Sequence, residues 1–185
     1  VDGKRVSSRQ GSDKGKHRYL LYNKNVNEIC SRKDPRGRPT VFDKLPPLKH
    51  GRWISVGRLD FNTTGLLLFT TDGDVANSLT HPSSMIEREY AVRVMGTVEP
   101  SMIKNMHEGV KIDSEIYRFT DIQYFGGDGL NRWYHVVVMT GRNREVRKLW
   151  ESQGVRVSRL KRVRFGPIFM PSKLKRGQHR DLSQK

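Results

Sequence analysis

The chain has 185 residues, enough for one globular domain or for two small lobes sharing a core. Apolar residues make up 35%, and Lys plus Arg total 35 against 19 Asp plus Glu, a net charge of +16 that points to a polyanionic partner, nucleic acid or an acidic membrane surface. Apolar content at this level is above the disordered range, no apolar run approaches the roughly 20 residues of a membrane span, and the polar, basic start lacks the apolar segment of a secretory signal.

Residues 1–16 are rich in Ser, Gly and Lys without apolar periodicity, and read as a linker. A strand is expected over 18–23. The loop 31–39 follows, with turn residues throughout and four cations (Arg32, Lys33, Arg36 and Arg38) against Asp34, which suits a phosphate-facing arm. The only cysteine, Cys30, cannot form an internal disulfide, so a reducing, cytoplasmic home is expected.

Residues 53–58 and 66–70 read as strands, the second apolar enough to be buried on both faces. Asp72-Gly73-Asp74 opens a short helix with Asp72 at its N-cap, and Pro82 ends it. Over 86–95 the residues alternate, with Ile86, Arg88, Tyr90, Val92 and Val94 on one face. Residues 100–107 form a helix with Pro100 at its start. Strands over 116–124 and 133–140 flank Gly126-Gly127-Asp128-Gly129, which reads as the turn of a hairpin.

Residues 144–153 form an amphipathic helix. Val146, Leu149 and Trp150 make its apolar side, and Arg144, Arg147, Lys148 and Glu151 face away from it. Gly154 stops the helix, and 155–165 is a basic strand. Strands outnumber helices and several neighbours look antiparallel. The class is therefore α+β, a mixed, mainly antiparallel sheet with flanking helices.

The six histidines are scattered and no metal-ligand spacing joins them to Cys30, so no metal site is expected. No phosphate-binding Gly-Lys-Ser/Thr loop is present. Asp60 lies between Arg58 and the turn Asn62-Thr63-Thr64-Gly65, just before an apolar strand. By itself, an Asp in that setting caps a turn. Tyr90 by itself is a core residue, and Arg147 by itself is solvated or bound to phosphate.

Their order changes the reading. Gly57-Arg58-Leu59-Asp60 with Thr63, Gly65-Leu66-Leu67-Leu68 and Asp72-Gly73 resembles the active-site motif of the bacterial pseudouridine synthases that modify ribosomal RNA. Glu89-Tyr90-Ala91-Val92 is similar to the family's tyrosine motif, and Gly141-Arg142-Asn143-Arg144-Glu145-Val146-Arg147-Lys148 to its third motif. Leu160-x-Arg162, Gly166-Pro167 and Gly177-x-x-Arg180-x-Leu182 match its closing segments, so the resemblance covers about residues 18–182. Two departures are visible: Lys24-Asn25 stands where members often have Lys-Pro, and Glu145 where many carry Gln.

The resemblance implies a pseudouridine synthase fold with a central RNA-binding cleft, over residues 17–185. It implies that Val1-Asp2-Gly3-Lys4-Arg5 is the tail of an N-terminal S4-type RNA-binding domain, with 1–16 as the linker after it. The implied activity is isomerisation of one uridine in a 23S rRNA stem-loop, without cofactor or metal; a monomer is expected. Asp60 is then the essential carboxylate, as nucleophile or as base, Arg147 its ion-pair partner, and Tyr90 the residue that stacks on uracil and takes the carbon-5 proton. Arg58 would fill the space left by the flipped nucleotide. Arg32, Lys33, Arg36, Arg38, Arg142, Arg144, Lys148 and Arg162 would hold the RNA.

A non-catalytic rRNA-binding or ribosome-assembly factor on the same fold would share the charge but would not need Asp60, Tyr90 and Arg147 together. A methyltransferase would need a methyl-donor loop, and the chain has no convincing one. Neutralising the cations of the 31–39 loop is expected to weaken RNA binding broadly. The plot of log affinity against log salt should flatten by about one unit for each phosphate that the loop no longer neutralises, measured by titration at several ionic strengths.

Overall fold

A computed structural model of the chain describes residues 15–182. The proposed S4-domain tail, and all but the last two residues of the linker read over 1–16, lie outside the described residues. The strands are β1 (Tyr19–Lys24), β2 (Ile54–Val56), β3 (Thr64–Thr70), β4 (Arg88–Met95), β5 (Val110–Ile112), β6 (Glu115–Tyr117), β7 (Asp121–Asp128), β8 (Asn131–Val138), β9 (Arg156–Phe165), β10 (Ile168–Phe169) and β11 (His179–Asp181). The helices are α1 (Gly73–Thr80), α2 (Pro100–Glu108) and α3 (Glu145–Ser152).

One sheet runs in the order β11-β1-β3-β9-β4-β8-β7, with β2 added to β3 and β10 to β9; β5 and β6 form a separate hairpin. Every pairing between these strands is antiparallel except β3–β9, where Thr64 meets Lys161 and Gly65 meets Arg162. β1 covers one edge of β3 along Gly65–Thr70. β2 takes the far end of the other edge, opposite Leu68–Thr70, so β9 is left only the first two residues of β3. The sheet is thus two halves joined by a short parallel seam, with the 57–63 loop filling the gap between β2 and β9.

The alternation of strand side chains builds the cores. Leu67 and Phe69 of β3 pack on one side with Leu20, Tyr22, Val41, Trp53 and Leu59. Leu66 and Leu68 pack on the other with Leu21, Val56, Ala76 and Phe165. Strand β3 is buried throughout, as its apolar sequence requires. In the second half, Val92, Val94, Tyr134, Val136 and Val138 meet Met106 of α2 and Val146, Leu149 and Trp150 of α3.

Asp72 caps α1, its Oδ1 accepting from Asp74 N at 3.0 Å and Val75 N at 3.3 Å. The 53–58 strand shrinks to Ile54–Val56, because Gly57 at φ 75° turns the chain into the Asp60 loop.

Two features differ from the sequence reading. The strand expected over 116–124 is split: Glu115–Tyr117 turns back on β5 through Asp113 and Ser114, both at positive φ (49° and 69°), and a new strand starts at Asp121. Gly126 and Gly127 lie inside β7, not in the turn, and the chain reverses at Gly129-Leu130. A β-bulge sits between Tyr124 and Gly127, where a Cβ on Gly127 would collide with the carbonyl of Asn131. These glycines serve close backbone approach, which local sequence cannot distinguish from a turn.

Gly65 is the tightest point of the seam. Its φ of 107° disfavours L side chains, and a Cβ there would collide with the backbone of Arg162. Gly65→Ala is expected to cost on the order of 3 kcal/mol of stability, read as a lower urea midpoint at unchanged m-value.

Candidate active site

The two halves of the sheet enclose a cavity of about 640 Å³ at the seam. Asp60, Tyr90, Arg58, Arg38, Arg142, Arg144 and Arg162 all line it, although up to 124 positions separate them in the chain.

Asp60 sits in the loop between β2 and β3. Thr63 N donates to Asp60 O at 3.0 Å, closing the turn that the sequence suggested. Below it lies Lys24, at the end of β1 and fully buried. Its ammonium donates to the carbonyls of Asn25 (2.9 Å), Asp60 (3.0 Å) and Thr63 (2.8 Å). Burial lowers the Lys24 pKa, opposed by the charges of Cys30, Glu28 and Asp60. Asn27 N also donates to Phe61 O at 2.9 Å, and Glu28 accepts from Tyr22 Oη at 2.7 Å and from Asn25 N at 2.8 Å. Cys30 Sγ lies 3.3–3.4 Å from the backbone of Leu59. The loop is therefore held from below by its own carbonyls, leaving the Asp60 carboxylate to the cavity.

The carboxylate is 32% exposed, and its nearest cation is Arg144, with Nη1 at 3.9 Å from Oδ2. This corrects the assignment of Arg147 as the contacting ion-pair partner. Arg147 is only 6% exposed and its Nη2 donates instead to Asn62 O at 3.3 Å. Burial lowers the Arg147 pKa, and the Asp60 charge opposes that shift, so the two groups interact through space without an ion-pair contact. The sequence reading also put Arg147 on the solvated side of its helix. Of that side only Arg147 is covered, where it meets the Asp60 loop at Asn62 O, while Arg144 and Glu151 stay exposed. Arg144 precedes the helix with its backbone in the left-handed region (φ 54°), and it lines the cavity.

The other expected RNA contacts divide. Arg58, Lys33 and Arg36 are exposed. Arg32 is engaged already: its guanidinium donates to Trp53 O and lies 4.5 Å over Phe42. Arg38 is held by Asp34 through Nε (2.8 Å) and Nη2 (3.1 Å), which keeps the Asp34 carboxyl below its ordinary range, at about 2. Arg142 and Lys148 gather over Tyr117, at 4.6 and 5.7 Å. Arg162 is 2% exposed and donates through Nε to Leu66 O at 2.8 Å, which makes it a seam residue at the cavity floor rather than a surface phosphate contact. The salt response of the 31–39 loop then rests chiefly on Lys33 and Arg36.

Three residues of the site had no role in the sequence reading. Lys24 enters it only as part of the Lys24-Asn25 departure from the family pattern, with no role given to its side chain. Arg88 is buried beside the cavity, donating through Nη1 to Ile86 O at 2.8 Å, and burial together with Arg162 lowers its pKa. Glu145 is 6% exposed, and its Oε2 accepts from Thr140 Oγ1 at 2.6 Å and Arg142 N at 3.3 Å. Burial pushes the Glu145 carboxyl up to about 7, against these hydrogen bonds and the charges of Arg142 and Arg88.

Among the described residues no His, Cys, Asp and Glu side chains gather in a group of three that would hold a metal ion. No described helix is long and apolar enough to cross a membrane.

A family profile described as RNA pseudouridylate synthase matches residues 18–152. A "Ribosomal large subunit pseudouridine synthase B" of Pseudomonas aeruginosa is 57% identical over 186 residues, which takes in 100% of this chain and 48% of the relative. A protein of the same name from Escherichia coli K12 is 52% identical, over 98% of this chain and 62% of the relative. The chain thus spans about half to three-fifths of the length of these relatives. Among solved structures, "Crystal structure of pseudouridylate synthase" superposes with a TM-score of 0.79 at 27% identity, covering 91% of this chain and 71% of that one. A substrate-bound H/ACA RNP structure shares the fold, with a TM-score of 0.61 at 18% identity over 82% of this chain and 48% of that one.

Glu145 gives the fold a pH dependence. Its folded pKa of about 7 lies above the ordinary 4.5, so the folded state binds the extra proton between those values. Its contribution is full below about pH 4.5 and is lost as pH rises through 7. Glu145→Gln, neutral throughout, should gain on the order of 3 kcal/mol relative to the parent across that window, measured by urea unfolding at several pH values.

Proposed function

The chain belongs to the RNA pseudouridylate synthase family, and on that basis we propose that it isomerises one uridine of 23S rRNA to pseudouridine. The observation that carries this reading is the Asp60 carboxylate, held in a cavity of about 640 Å³ and ringed by arginines. The bond between uracil N1 and ribose C1′ breaks, the base turns, a bond forms between C5 and C1′, the C5 proton leaves, and N1 takes up a proton in its place. Atoms and electrons balance without an oxidant, a reductant or an energy source.

Asp60 acts in its ionised form, either by attack on the ribose or by removal of a proton from it. Arg144 lies 3.9 Å from the carboxylate at the cavity mouth, and Arg147 is buried behind the same loop. Lys24 fixes the loop backbone, so the carboxylate is positioned before substrate arrives. Tyr90 lines the cavity where it would pack on the uracil ring and take the C5 proton. Arg58, exposed at the mouth, would enter the stack that the uridine leaves, offsetting an unstacking cost of a few kcal/mol. Arg142, Arg144 and Lys148, with Lys33 and Arg36, would carry phosphates on either side of the target.

We place the protein in the cytoplasm as a monomer acting on a stem-loop of large-subunit rRNA. Its described residues form the catalytic domain, and the greater length of the relatives leaves room for the further RNA-binding domain that the resemblance implies.

Tritium release from rRNA labelled at C5 of uridine tests this. The parent protein should release tritium, and Asp60→Asn should abolish release while RNA affinity stays within about threefold. Robust release by that variant would remove Asp60 from the chemistry.

A further inference from the structure

The four strands β9, β4, β8 and β7 have a second face. Tyr90, Val92 and Val94 of β4, with Tyr134, Val136 and Val138 of β8, point to the core under α2 and α3. Strand alternation puts their neighbours on the reverse: Ala91 and Arg93 on β4, Trp133 and His135 on β8. The register lays these rows out: Arg159 pairs Arg93, which pairs Trp133; Lys161 pairs Ala91, which pairs His135; Arg156 pairs Met95. The β-bulge between Arg93 and Val94 is what brings Arg156 onto the same face as Arg159. α2 and α3 pack on the opposite face and α1 packs on β2 and β3, so none of the three helices covers this one.

Its chemistry is uneven. At one end Glu87 and Glu89 neutralise Arg164, at 3.0 and 3.5 Å, and Glu89 reaches His135 at 3.3 Å. At the other end Arg93, Arg156, Arg159 and Lys161 have no carboxylate partner among the described residues. Arg93 donates to Ser158 Oγ at 2.9 Å and lies over the half-buried Trp133, at 5.9 Å. Phe125, 61% exposed, stacks on His135 with centroids 4.1 Å apart. A row of cations without carboxylate partners, about 7 Å apart along one strand, beside the exposed ring of Phe125 and the half-buried ring of Trp133, matches what single-stranded RNA needs: phosphate contacts and flat surfaces for bases.

We propose that this reverse face is a second RNA-binding surface, in which Arg156, Arg159, Lys161 and Arg93 hold the backbone of rRNA outside the modified stem-loop and Trp133 packs against a base. The inference rests on the reading that the substrate is RNA. The face lies on the other side of the sheet from the Asp60 cavity, so it contributes to affinity and site selection rather than to chemistry. A long RNA wraps both sides, whereas a minimal stem-loop reaches only the cleft.

The test compares the full chain with its triple variant Arg156→Gln, Arg159→Gln, Lys161→Gln on unmodified large-subunit rRNA and on the shortest stem-loop that the parent modifies. On the long RNA, KM should rise about tenfold at unchanged kcat, and the salt slope should flatten by about two to three units. On the stem-loop, kinetics and slope should match the parent. Trp133→Leu, which keeps all the charges, should weaken long-RNA binding severalfold without altering the slope. An unchanged slope and KM on the long RNA would overturn the proposal. So would equal losses on both RNAs, which would assign the cations to the cleft. A loss of thermal stability in the RNA-free variant at a parental slope would also overturn it, because the face would then be a contact for polypeptide. If the parent itself releases no tritium from either RNA, the catalytic reading fails, while the salt slopes still decide the reverse face.

Discussion

The parallel contact between β3 and β9 governs the rest of this molecule. It is only two residues long, Thr64–Gly65 against Lys161–Arg162, and it joins two halves that each have their own core. Backbones can approach that closely only because Gly65 lacks a side chain, and the Arg162 guanidinium then ties Nε to Leu66 O. Because the seam is short, β2 and β9 diverge beyond it. The loop that fills the gap between them carries Asp60 and lines the cavity.

A cleft built this way has to bury charge. Lys24, Arg88, Arg147 and Arg162 are all buried, and none has a carboxylate within ion-pair distance among the described residues. Their hydrogen bonds go mostly to backbone carbonyls, which carry only partial negative charge. The positive potential is therefore retained rather than cancelled, and it falls where an ionised Asp60 and an incoming polyanion gain from it. Glu145 is the exception that shows the cost. It is a buried acid whose proton is held up to about pH 7 despite two donors and nearby arginines.

Two jobs that look alike in the sequence are separate in the fold. Arg144 touches Asp60 from the cavity mouth, while Arg147 braces the Asp60 loop from behind through Asn62 O. Arg32 and Arg38, which look equivalent to Lys33 and Arg36 in a basic loop, are spent on Trp53 O and Asp34 and shape the loop instead. The reach of these long side chains, not their charge, decides which of them remain open to RNA.

The amino-acid sequence by itself determined the strand that carries the site, the Asp72 cap, the apolar face of α3 and the α+β class, because hydrophobic period and capping are local properties. The order of Asp60, Tyr90 and Arg147 was also legible, and the structure brings Asp60 and Tyr90 to one cavity with Arg147 behind the Asp60 loop. Tertiary structure alone decided that Lys24 lies beneath the Asp60 loop, that Arg147 is buried and Arg144 makes the contact, and that Gly127 serves a bulge. Each of these depends on which segments pack together across tens of residues. Burial, and with it the environment of a charge, is a property of the packed chain rather than of its neighbours in sequence.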